Sequence, residues 1–393
     1  MSVTVRTDAP EAEERNEQDA AARHWECREC EYQLVAPNPP DACPLCGEPG
    51  DQFQETHPVA MDTLDKQLCN LLQHGVPLVE NPWEVYGAEL GLSSDEVMAR
   101  IRRMKADVIR QISAIFDSRS LGYKSTLVAM RFAPEEVDRG AAIINKHPGV
   151  SHNYRRNHVF NLWFTLTIHS SQDLAEEVHK LGEAAGAQQT ILLPTIKLFK
   201  IGVKLDVTGE KDVTRQEEGP IVRGVKSAQT LTPREVEAVR VLQRDLPIEE
   251  QPFRVWEQKF GIPQDELFDH AQAFIERGIM RRFSAVLRHR NAGFSANAMG
   301  VWIVPEKRLS EVGEIIAGFA ACSHCYQRPA YPPAWPYNLF SMVHGKTTDD
   351  CRAVLDSMAE KTGLQEYAML YSTKEYKKVR VKYFAPGTPV PTA

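Results

Sequence analysis

One short motif occurs twice in the sequence, and this repeat restricts the folds that the chain can adopt. Histidine, tyrosine and arginine alternate with other residues in both copies: His152, Tyr154 and Arg156 in the first, His324, Tyr326 and Arg328 in the second. The two histidines (324 − 152) and the two arginines (328 − 156) are each 172 residues apart. An aromatic–Asn–Leu–aromatic stretch follows each copy. A repeat in fixed register predicts two homologous units within one chain.

A second similarity extends the repeat toward the N-terminus. The stretch "PLVENPWEVYGAELGLSSDEV" (77–97) aligns with "PIEEQPFRVWEQKFGIPQDEL" (247–267) at an offset of 170 residues (247 − 77). In both copies a helical pattern follows, and then a β-rich half. We therefore expect five segments: an acidic, disordered tail (1–22), a cysteine-rich module (24–54), a first repeat (62–205), a polar linker (206–229) and a second repeat (231–385).

Each repeat is predicted to have an α+β fold in two parts. In the first repeat, a short helix ending near Gly91 precedes a helix over 93–112, which opens with a Ser93-x-x-Glu96 capping box. This is the outline of a helix-turn-helix (HTH). The second part has the order β-α-β-β-α-β, which is ferredoxin-like. The HTH and ferredoxin-like parts are expected at 62–118 and 123–205 in the first repeat and at 231–290 and 296–385 in the second.

Length and charge limit the class of protein. A chain of 393 residues exceeds what one core usually serves, and a net charge of −7 opposes general attraction to nucleic acid. No apolar run approaches the roughly 20 residues of a membrane span, and the start lacks the features of a signal peptide. We expect a cytoplasmic protein with no membrane partner.

An HTH followed by a ferredoxin-like domain is the plan of Lrp/AsnC transcription regulators, so regulation is one candidate function. The predicted helix 93–112 carries five bases: Arg100, Arg102, Arg103, Lys105 and Arg110. Its counterpart at 263–283 mixes acids and bases. Two unlike faces suit a palindromic DNA site poorly, so nucleic acid is not the expected partner.

Four cysteines in two C-x-x-C pairs predict a metal site: Cys27, Cys30, Cys43 and Cys46. Two such pairs on tight loops suit a tetrahedral Zn²⁺ or a single Fe. Together with Trp25, Tyr32 and Phe53, the segment 24–54 resembles the rubredoxin-like module of rubrerythrins, which implies a one-electron iron centre. Glu31 stands where that family usually has Gly, which leaves a zinc ribbon open. The pair Cys322 and Cys325 has no second pair at a workable distance, so these cysteines are expected to be two small residues on a strand.

The repeated His-Tyr-Arg stretch allows three interpretations. Alternation on a strand places the three side chains on one face. That face could be merely solvated, it could belong to a regulator, or it could bind a large, flat, anionic ligand through arginine and aromatic groups.

The segments "HPGVSHNYRRNHVFNLWFTL" and "SHCYQRPAYPPAWPYNLFSMVHG" resemble siroheme decarboxylases over nearly all of both repeats. The resemblance implies removal of CO₂ from two acetate side chains of siroheme, giving didecarboxysiroheme on a route to haem or haem d1, without an organic cofactor. In that family the two homologous subunits usually form a heterodimer, so this chain would be an intrachain pseudo-dimer. Further homo-oligomerisation, and an electron donor for the rubredoxin-like module, stay open.

On this interpretation three residues are expected to be catalytic: His152 as acid, Arg156 as carboxylate-binding group and Tyr154 as a second donor. Substrate-binding residues are expected to be Asn153, His158, Asn161, Trp163, His324, Tyr326, Arg328 and Asn338. His158 could instead ligate the siroheme iron. The number of working pockets, one or two, is left open.

Overall fold

The computed structural model describes residues 23–27, 33–43, 49–56, 59–201, 227–288, 296–345 and 347–385. The predicted disordered tail (1–22) and most of the predicted linker lie outside the described residues. The chain divides into two compact parts, Met1–His57 and Pro58–Ala393. We call them the N-terminal module and the main body. No helix among the described residues is long and apolar enough to cross a membrane.

The N-terminal module contains a small antiparallel sheet. Strand β1 (Arg23–Cys27) lies between β2 (Gln33–Ala36) and β3 (Phe53–Thr56). The indole N–H of Trp25 donates a 3.1 Å hydrogen bond to the carbonyl of Ala36, which ties β1 to the end of β2.

The helical parts of the two repeats have matching helices. They are α1 (Thr63–His74), α2 (Pro82–Leu90) and α3 (Ser94–Lys105) in the first repeat, and α6 (Pro233–Leu242), α7 (Pro252–Phe260) and α8 (Gln264–Glu276) in the second. Gly91 and Gly261 end α2 and α7 with φ of 70° and 68°. Only glycine adopts this left-handed conformation readily, so the same residue ends the helix in both repeats.

The predicted helix over 93–112 is too long. It ends at Lys105, and residues Ile109–Phe116 form strand β4, which pairs antiparallel with β10 (Met280–Leu287) of the second repeat. The predicted counterpart helix at 263–283 also overran into β10. The apolar residues of these segments fit either a helix or a strand, and the choice depends on a pairing partner about 170 residues away that local pattern does not reveal.

The predicted capping box forms only in part. The Ser93 hydroxyl accepts from the Glu96 amide at 3.2 Å, as expected of an N-cap. The Glu96 carboxylate instead accepts from Arg100 at 3.1 and 3.2 Å. An ion pair one turn along the helix has replaced the reciprocal hydrogen bond of the box.

The ferredoxin-like parts of both repeats have the predicted β-α-β-β-α-β order. In the first repeat the elements are β5 (Tyr123–Arg131), α4 (Val137–Asn145), β6 (Val150–Arg156), β7 (Leu162–His169), α5 (Leu174–Ala185), β8 (Gln189–Pro194) and an added β9 (Lys197–Ile201). In the second they are β11 (Ala296–Trp302), α9 (Leu309–Ala317), β12 (Cys322–Gln327), β13 (Leu339–Gly345), α10 (Thr348–Thr362) and β14 (Tyr367–Lys378).

Strands exchanged between the repeats join both halves into one sheet. Its order among the described residues is β8-β5-β7-β6-β14-β11-β13-β12-β9. Strand β14 pairs first with β11 of its own repeat and then, over 372–378, with β6 of the first repeat. Strand β9 of the first repeat pairs with β12 of the second. The two motif strands, β6 and β12, therefore each neighbour a strand from the other repeat.

Apolar side chains from both repeats share one core on the sheet face that carries the motif arginines. This cluster includes Trp163 and Leu193 from the first repeat and Phe340 and Leu370 from the second. Trp335, from the segment between β12 and β13, is fully buried within it. Because the repeats bury these groups against each other, neither would keep its core intact alone.

Candidate functional site

Strand β6 holds the first motif in the predicted arrangement. Pro148 stops the chain from continuing α4, and a register shift follows between Val150 and His152. The rings of His152 and Tyr154 have centroids 6.2 Å apart, and the Arg156 guanidinium carbon lies 5.7 Å from the Tyr154 ring. The three side chains therefore lie on one face, which confirms that prediction.

Strand β12 repeats this geometry. The His324 and Tyr326 rings stack at 5.9 Å, and the Arg328 guanidinium carbon lies 4.7 Å from the Tyr326 ring. Cys322 and Cys325 lie on the same strand, as expected. Both are buried and burial raises the pKa of both thiols, so they are inert strand residues.

Neither motif arginine has a carboxylate partner among the described residues, although Arg156 is buried and Arg328 is half-buried. Arg156 is 7% exposed, and its Nη1 donates at 3.3 Å to the carbonyl of Leu370 in the other repeat. Arg328 donates in the same way to the carbonyl of Leu193. The Nε of each arginine has no hydrogen-bond partner in the described part of the chain. Burial lowers the pKa of both guanidinium groups to about 10.

An unpaired buried charge is costly, and bidentate binding of an anion is what a guanidinium does best. The arrangement therefore fits a ligand that brings carboxylates into the interior.

The two motif histidines are neutral near pH 7 in the unliganded protein. Burial, assisted by nearby Lys378 and Arg110, lowers the pKa of His152 to about 3. Burial and the neighbouring His344 lower the pKa of His324 to about 3 as well. His152 also contributes to the shift of His324, so the two histidines interact electrostatically. The two motifs therefore face a common region.

Basic side chains from other elements surround this region. They are Arg110 on β4, Arg281 and Arg282 on β10, and Lys378 and Arg380 at the end of β14. Arg110 Nη2 donates at 2.5 Å to the Lys378 carbonyl, and Arg380 Nη1 donates at 2.6 Å to Ser113 Oγ. Arg281 forms a 2.6 Å ion pair with Asp117. Arg110, Arg281 and Arg282 fall within the predicted helices 93–112 and 263–283. They are strand residues instead, and the pairing of β4 with β10 places them in one sheet.

A cavity of about 170 Å³ opens beside His152. Its lining includes Ser151, Arg380, Phe116 and Tyr383. Pockets for whole small molecules usually measure roughly 300–1,000 Å³. This cavity is therefore large enough for a carboxylate side chain of a ligand, and a larger ligand would require the surrounding segments to separate.

Three residues predicted to bind substrate lie away from the motif face. The Asn161 side chain bonds the backbone N–H and C=O of Phe132 at 3.0 and 2.9 Å. Asn338 bonds Val304 in the same way at 2.9 and 2.8 Å. Asn153 is fully buried on the opposite face, where it donates to Asn145 at 3.0 Å. These amides hold neighbouring elements together.

His158 and Trp163 lie at the aromatic side of the site. The Trp163 indole N–H donates to the Phe160 carbonyl at 2.6 Å, and its ring lies 6.0 Å from the Arg156 guanidinium carbon. His158 Nδ1 accepts from the Phe160 amide at 3.1 Å, and its ring meets Trp335 edge-on at 5.3 Å.

Sequence reasoning missed several groups near the motifs. Ser151 and Ser323 each contact Nδ1 of the following histidine, at 3.0 and 2.8 Å. Both belong to the repeated "SH" pair, so the repeat itself held that signal. Lys378 and Arg380 had no local signal, because only the pairing of β14 with β6 brings them near His152.

In the N-terminal module, Cys27 and Cys43 are buried together beside Phe53. Cys30 and Cys46 lie outside the described residues. Within the described ranges no group of three or more candidate ligands was found. Two buried thiols in one small core fit a thiolate metal site.

The fold and site define a class of protein, and three family models match it. An AsnC-like ligand binding domain matches residues 120–200 and 291–377, a siroheme decarboxylase NirDL-like HTH domain matches 65–110 and 235–281, and a rubrerythrin, rubredoxin-like domain matches 25–54. The chain is thus a duplicated HTH and AsnC-like ligand-binding protein with a rubredoxin-like domain at the N-terminal side.

Relatives narrow the class. Siroheme decarboxylase of Hydrogenobacter thermophilus is 39% identical over 321 residues, covering 81% of this chain and 94% of the relative. The beta subunit of Methanosarcina barkeri siroheme decarboxylase is 40% identical over 148 residues, 38% of this chain and 97% of that subunit. A crystal structure of siroheme decarboxylase NirDL has a TM-score of 0.62 at 34% identity, covering 82% of this chain and 95% of that one.

This chain belongs to the siroheme decarboxylase family, as predicted, and the regulator alternative is not supported. The match of a separate subunit to less than half of the chain supports the intrachain pseudo-dimer. NirDL has also been crystallised with an iron-uroporphyrin III analogue.

Replacing Asn161 or Asn338 with Ala tests the assignment of these amides to structure. Each change removes two hydrogen bonds to partly buried backbone groups, so unfolding free energy should fall by about 2 kcal/mol. Urea denaturation followed by circular dichroism measures this. Tetrapyrrole affinity of the folded variants should not change. Unaltered stability with weaker tetrapyrrole binding would show instead that these amides contact the ligand.

Proposed function

We propose that this chain decarboxylates siroheme, converting two of its acetate side chains to methyl groups with release of CO₂. The observation that carries the proposal is the pair of motif arginines, buried Arg156 and half-buried Arg328. In the described residues the Nε of each lacks a hydrogen-bond partner and neither arginine has a carboxylate partner. A polycarboxylate tetrapyrrole would supply those carboxylates. The family membership supports the same substrate.

Binding is the first step that the site's own residues perform. In our proposal Arg156 grips a carboxylate of the substrate and Tyr154, beside it on the same face, donates a further hydrogen bond. The surrounding basic side chains attract the remaining carboxylates of the substrate. In the bound state they replace the water molecules that would otherwise hydrate these carboxylates. Trp163 and Trp335, whose rings lie 5.1 Å apart, provide an apolar wall for a flat ring.

Proton delivery is the second step. When the bond between the acetate carbon atoms breaks, CO₂ leaves and the electron pair is delocalised into the macrocycle. His152 then gives a proton to the remaining carbon. Its pKa of about 3 in the empty site means that it is neutral there. Substrate carboxylates bound near Lys378 and Arg110 would offset the positive charges that lower the pKa of His152. Substrate binding would therefore raise this pKa and favour the protonated imidazole that acts as the acid.

The second motif can complete the first site or form a second one. His324, Tyr326 and Arg328 repeat the geometry of the first motif and face the same region. We propose that they act on the same bound macrocycle, because one sheet carries both motif strands and each of them pairs with a strand of the other repeat. His158 has two candidate roles, contact with the substrate ring or ligation of the siroheme iron. Burial lowers its pKa, which favours the neutral imidazole that ligation requires. Cytoplasmic location stays an expectation.

We also propose that Cys27, Cys30, Cys43 and Cys46 hold iron rather than zinc. The rubredoxin-like match over 25–54 supports this, together with the burial of Cys27 and Cys43 in one core. Iron in such a site supplies one-electron transfer. Decarboxylation itself is redox-neutral, so the useful role is to set the oxidation state of the siroheme iron.

The reaction is tested by incubating full-length protein with siroheme under anaerobic conditions and determining the mass of the tetrapyrrole by mass spectrometry. We expect loss of two CO₂ per substrate with no added organic cofactor. His152→Ala should bind siroheme but turn over at least about 100-fold more slowly, as expected for loss of a general acid. Unchanged siroheme combined with tight, specific binding to a DNA duplex would contradict the proposal in favour of regulation.

Arg156→Ala should weaken both capture and reaction, because a guanidinium that grips a carboxylate acts before and during bond breaking. Loss of charge-assisted hydrogen bonds should lower kcat/KM by roughly 10- to 100-fold. Arg156→Lys should recover only part of this, because lysine lacks the planar fork. Arg155→Ala is the matched control, since Arg155 contacts the Pro134 carbonyl instead. Full activity of Arg156→Lys would contradict bidentate binding.

Metal analysis of the full-length protein tests the N-terminal module. We expect about one iron per chain, in addition to any siroheme iron, and its loss in Cys27→Ser and Cys43→Ser. These variants should still decarboxylate siroheme of fixed oxidation state but respond differently to added reductant. Protein that contains only zinc, with identical rates under oxidising and reducing conditions, would contradict the electron-transfer role.

A further inference from the structure

A serine in the second repeat bridges two histidines. Ser323 Oγ lies 2.8 Å from His324 Nδ1 and 2.8 Å from His344 Nε2, and 3.3 Å from the Met342 carbonyl. Strands β12 and β13 pair side by side, which places His344 next to Ser323. His344 belongs to neither copy of the repeated motif, so sequence comparison of the copies did not single it out.

The first repeat lacks this third group. Asn338 and Asn161 are 177 residues apart (338 − 161), and the same offset relates His344 to Thr167 (344 − 177). The backbone confirms the match, since the His344 amide donates to the Ala321 carbonyl and the Thr167 amide to the Gly149 carbonyl. Thr167 Oγ1 donates to Ser125 at 3.0 Å and does not reach the serine and histidine of the first motif in the described contacts.

We propose that His344 is a positioning residue that supplies a proton to His324 through Ser323. The inference rests on the proposed decarboxylation and deepens it. It makes the two motif histidines unequal. His324 has a hydrogen-bonded relay behind it, whereas among the described residues the hydrogen-bond partner of the His152 ring is Ser151 alone.

The hydroxyl of Ser323 fixes the tautomer of His324. A serine has one proton to donate and two lone pairs to accept with. When His344 Nε2–H donates to Ser323 Oγ, the hydroxyl proton points to His324 Nδ1. The proton of neutral His324 then resides on Nε2, the nitrogen that does not contact Ser323, and is available to a substrate carbon.

The relay lets a neutral imidazole act as an acid. As the carbon left by CO₂ takes the Nε2 proton of His324, the hydroxyl proton of Ser323 moves to Nδ1 of His324. The Nε2 proton of His344 moves to Ser323 Oγ. His344 starts as an imidazolium and ends neutral, His324 stays neutral throughout, and no unstable imidazolate forms. Solvent returns a proton to His344 after product release.

Ligand binding is needed to charge His344. Burial and Lys378 of β14 lower the pKa of His344 to about 4 in the empty protein. The charged or titratable groups that lower the pKa of His324 are His344 on β13, His152 on β6, Arg281 on β10 and Arg328 near β12. All of them are cationic when charged. A bound polycarboxylate offsets their effect, so the pKa of both relay histidines rises when substrate is present.

His344→Gln tests the relay, because glutamine keeps hydrogen bonding to Ser323 but cannot pass a proton on. We expect kcat to fall by about 10- to 100-fold with little change in KM, and singly decarboxylated tetrapyrrole to accumulate. Because the relay needs protonated His344, the rate of the unmodified protein should rise as the pH falls. This pH dependence should be weaker in His344→Gln. Added imidazole should partly restore the rate of His344→Gly. Thr167→Val at the matching position of the first repeat is the control and should leave rate and products unchanged.

Ser323→Ala, which removes the bridging hydroxyl, should give the same product pattern as His344→Gln. It provides a second variant if the first one fails to fold, which circular dichroism would show. A folded His344→Gln or Ser323→Ala protein with unaltered kcat, pH profile and products would overturn the relay. Unreacted siroheme with the unmodified protein would instead overturn the proposed function itself.

Discussion

The exchange of strands between the two repeats is the constraint on which the rest of the structure depends. Strand β14 pairs with its own repeat through its first half and with β6 through its second half. This pairing brings Lys378 beside His152, and the same crossing brings the Leu370 carbonyl to Arg156. Each half of the site is therefore completed by backbone or side chains from the other repeat.

The site concentrates positive charge, and nearby carboxylates of the described residues neutralise only part of it. Arg156 is buried and Arg328 half-buried, neither has a carboxylate partner among the described residues, and several further bases lie close by. Desolvation of these two arginines costs stability, because no protein carboxylate in the described part of the chain offsets it. Binding of a polycarboxylate ligand would remove that cost. The site should therefore bind ligands with several carboxylates more tightly than ligands with few.

Duplication here does not mean equivalence. The two His-Tyr-Arg faces make the same kinds of ring and guanidinium contacts, and the amides Asn161 and Asn338 both bond backbone groups. The groups behind the motif histidines differ, because β13 carries His344 where β7 carries Thr167. A reaction that removes two carboxyl groups from an asymmetric macrocycle can use two unequal proton donors on one scaffold.

The sequence by itself determined the duplication, the shared face of His152, Tyr154 and Arg156, and the glycines that end α2 and α7. These follow from local periodicity and backbone preference, which act over a few residues. Only the tertiary structure decided that α3 ends at Lys105, that the Asn161 side chain bonds the backbone of Phe132, and that Lys378 lies beside His152. Those outcomes depend on pairing between segments far apart in the chain, and a strand's partner is set by packing and register that no short stretch encodes.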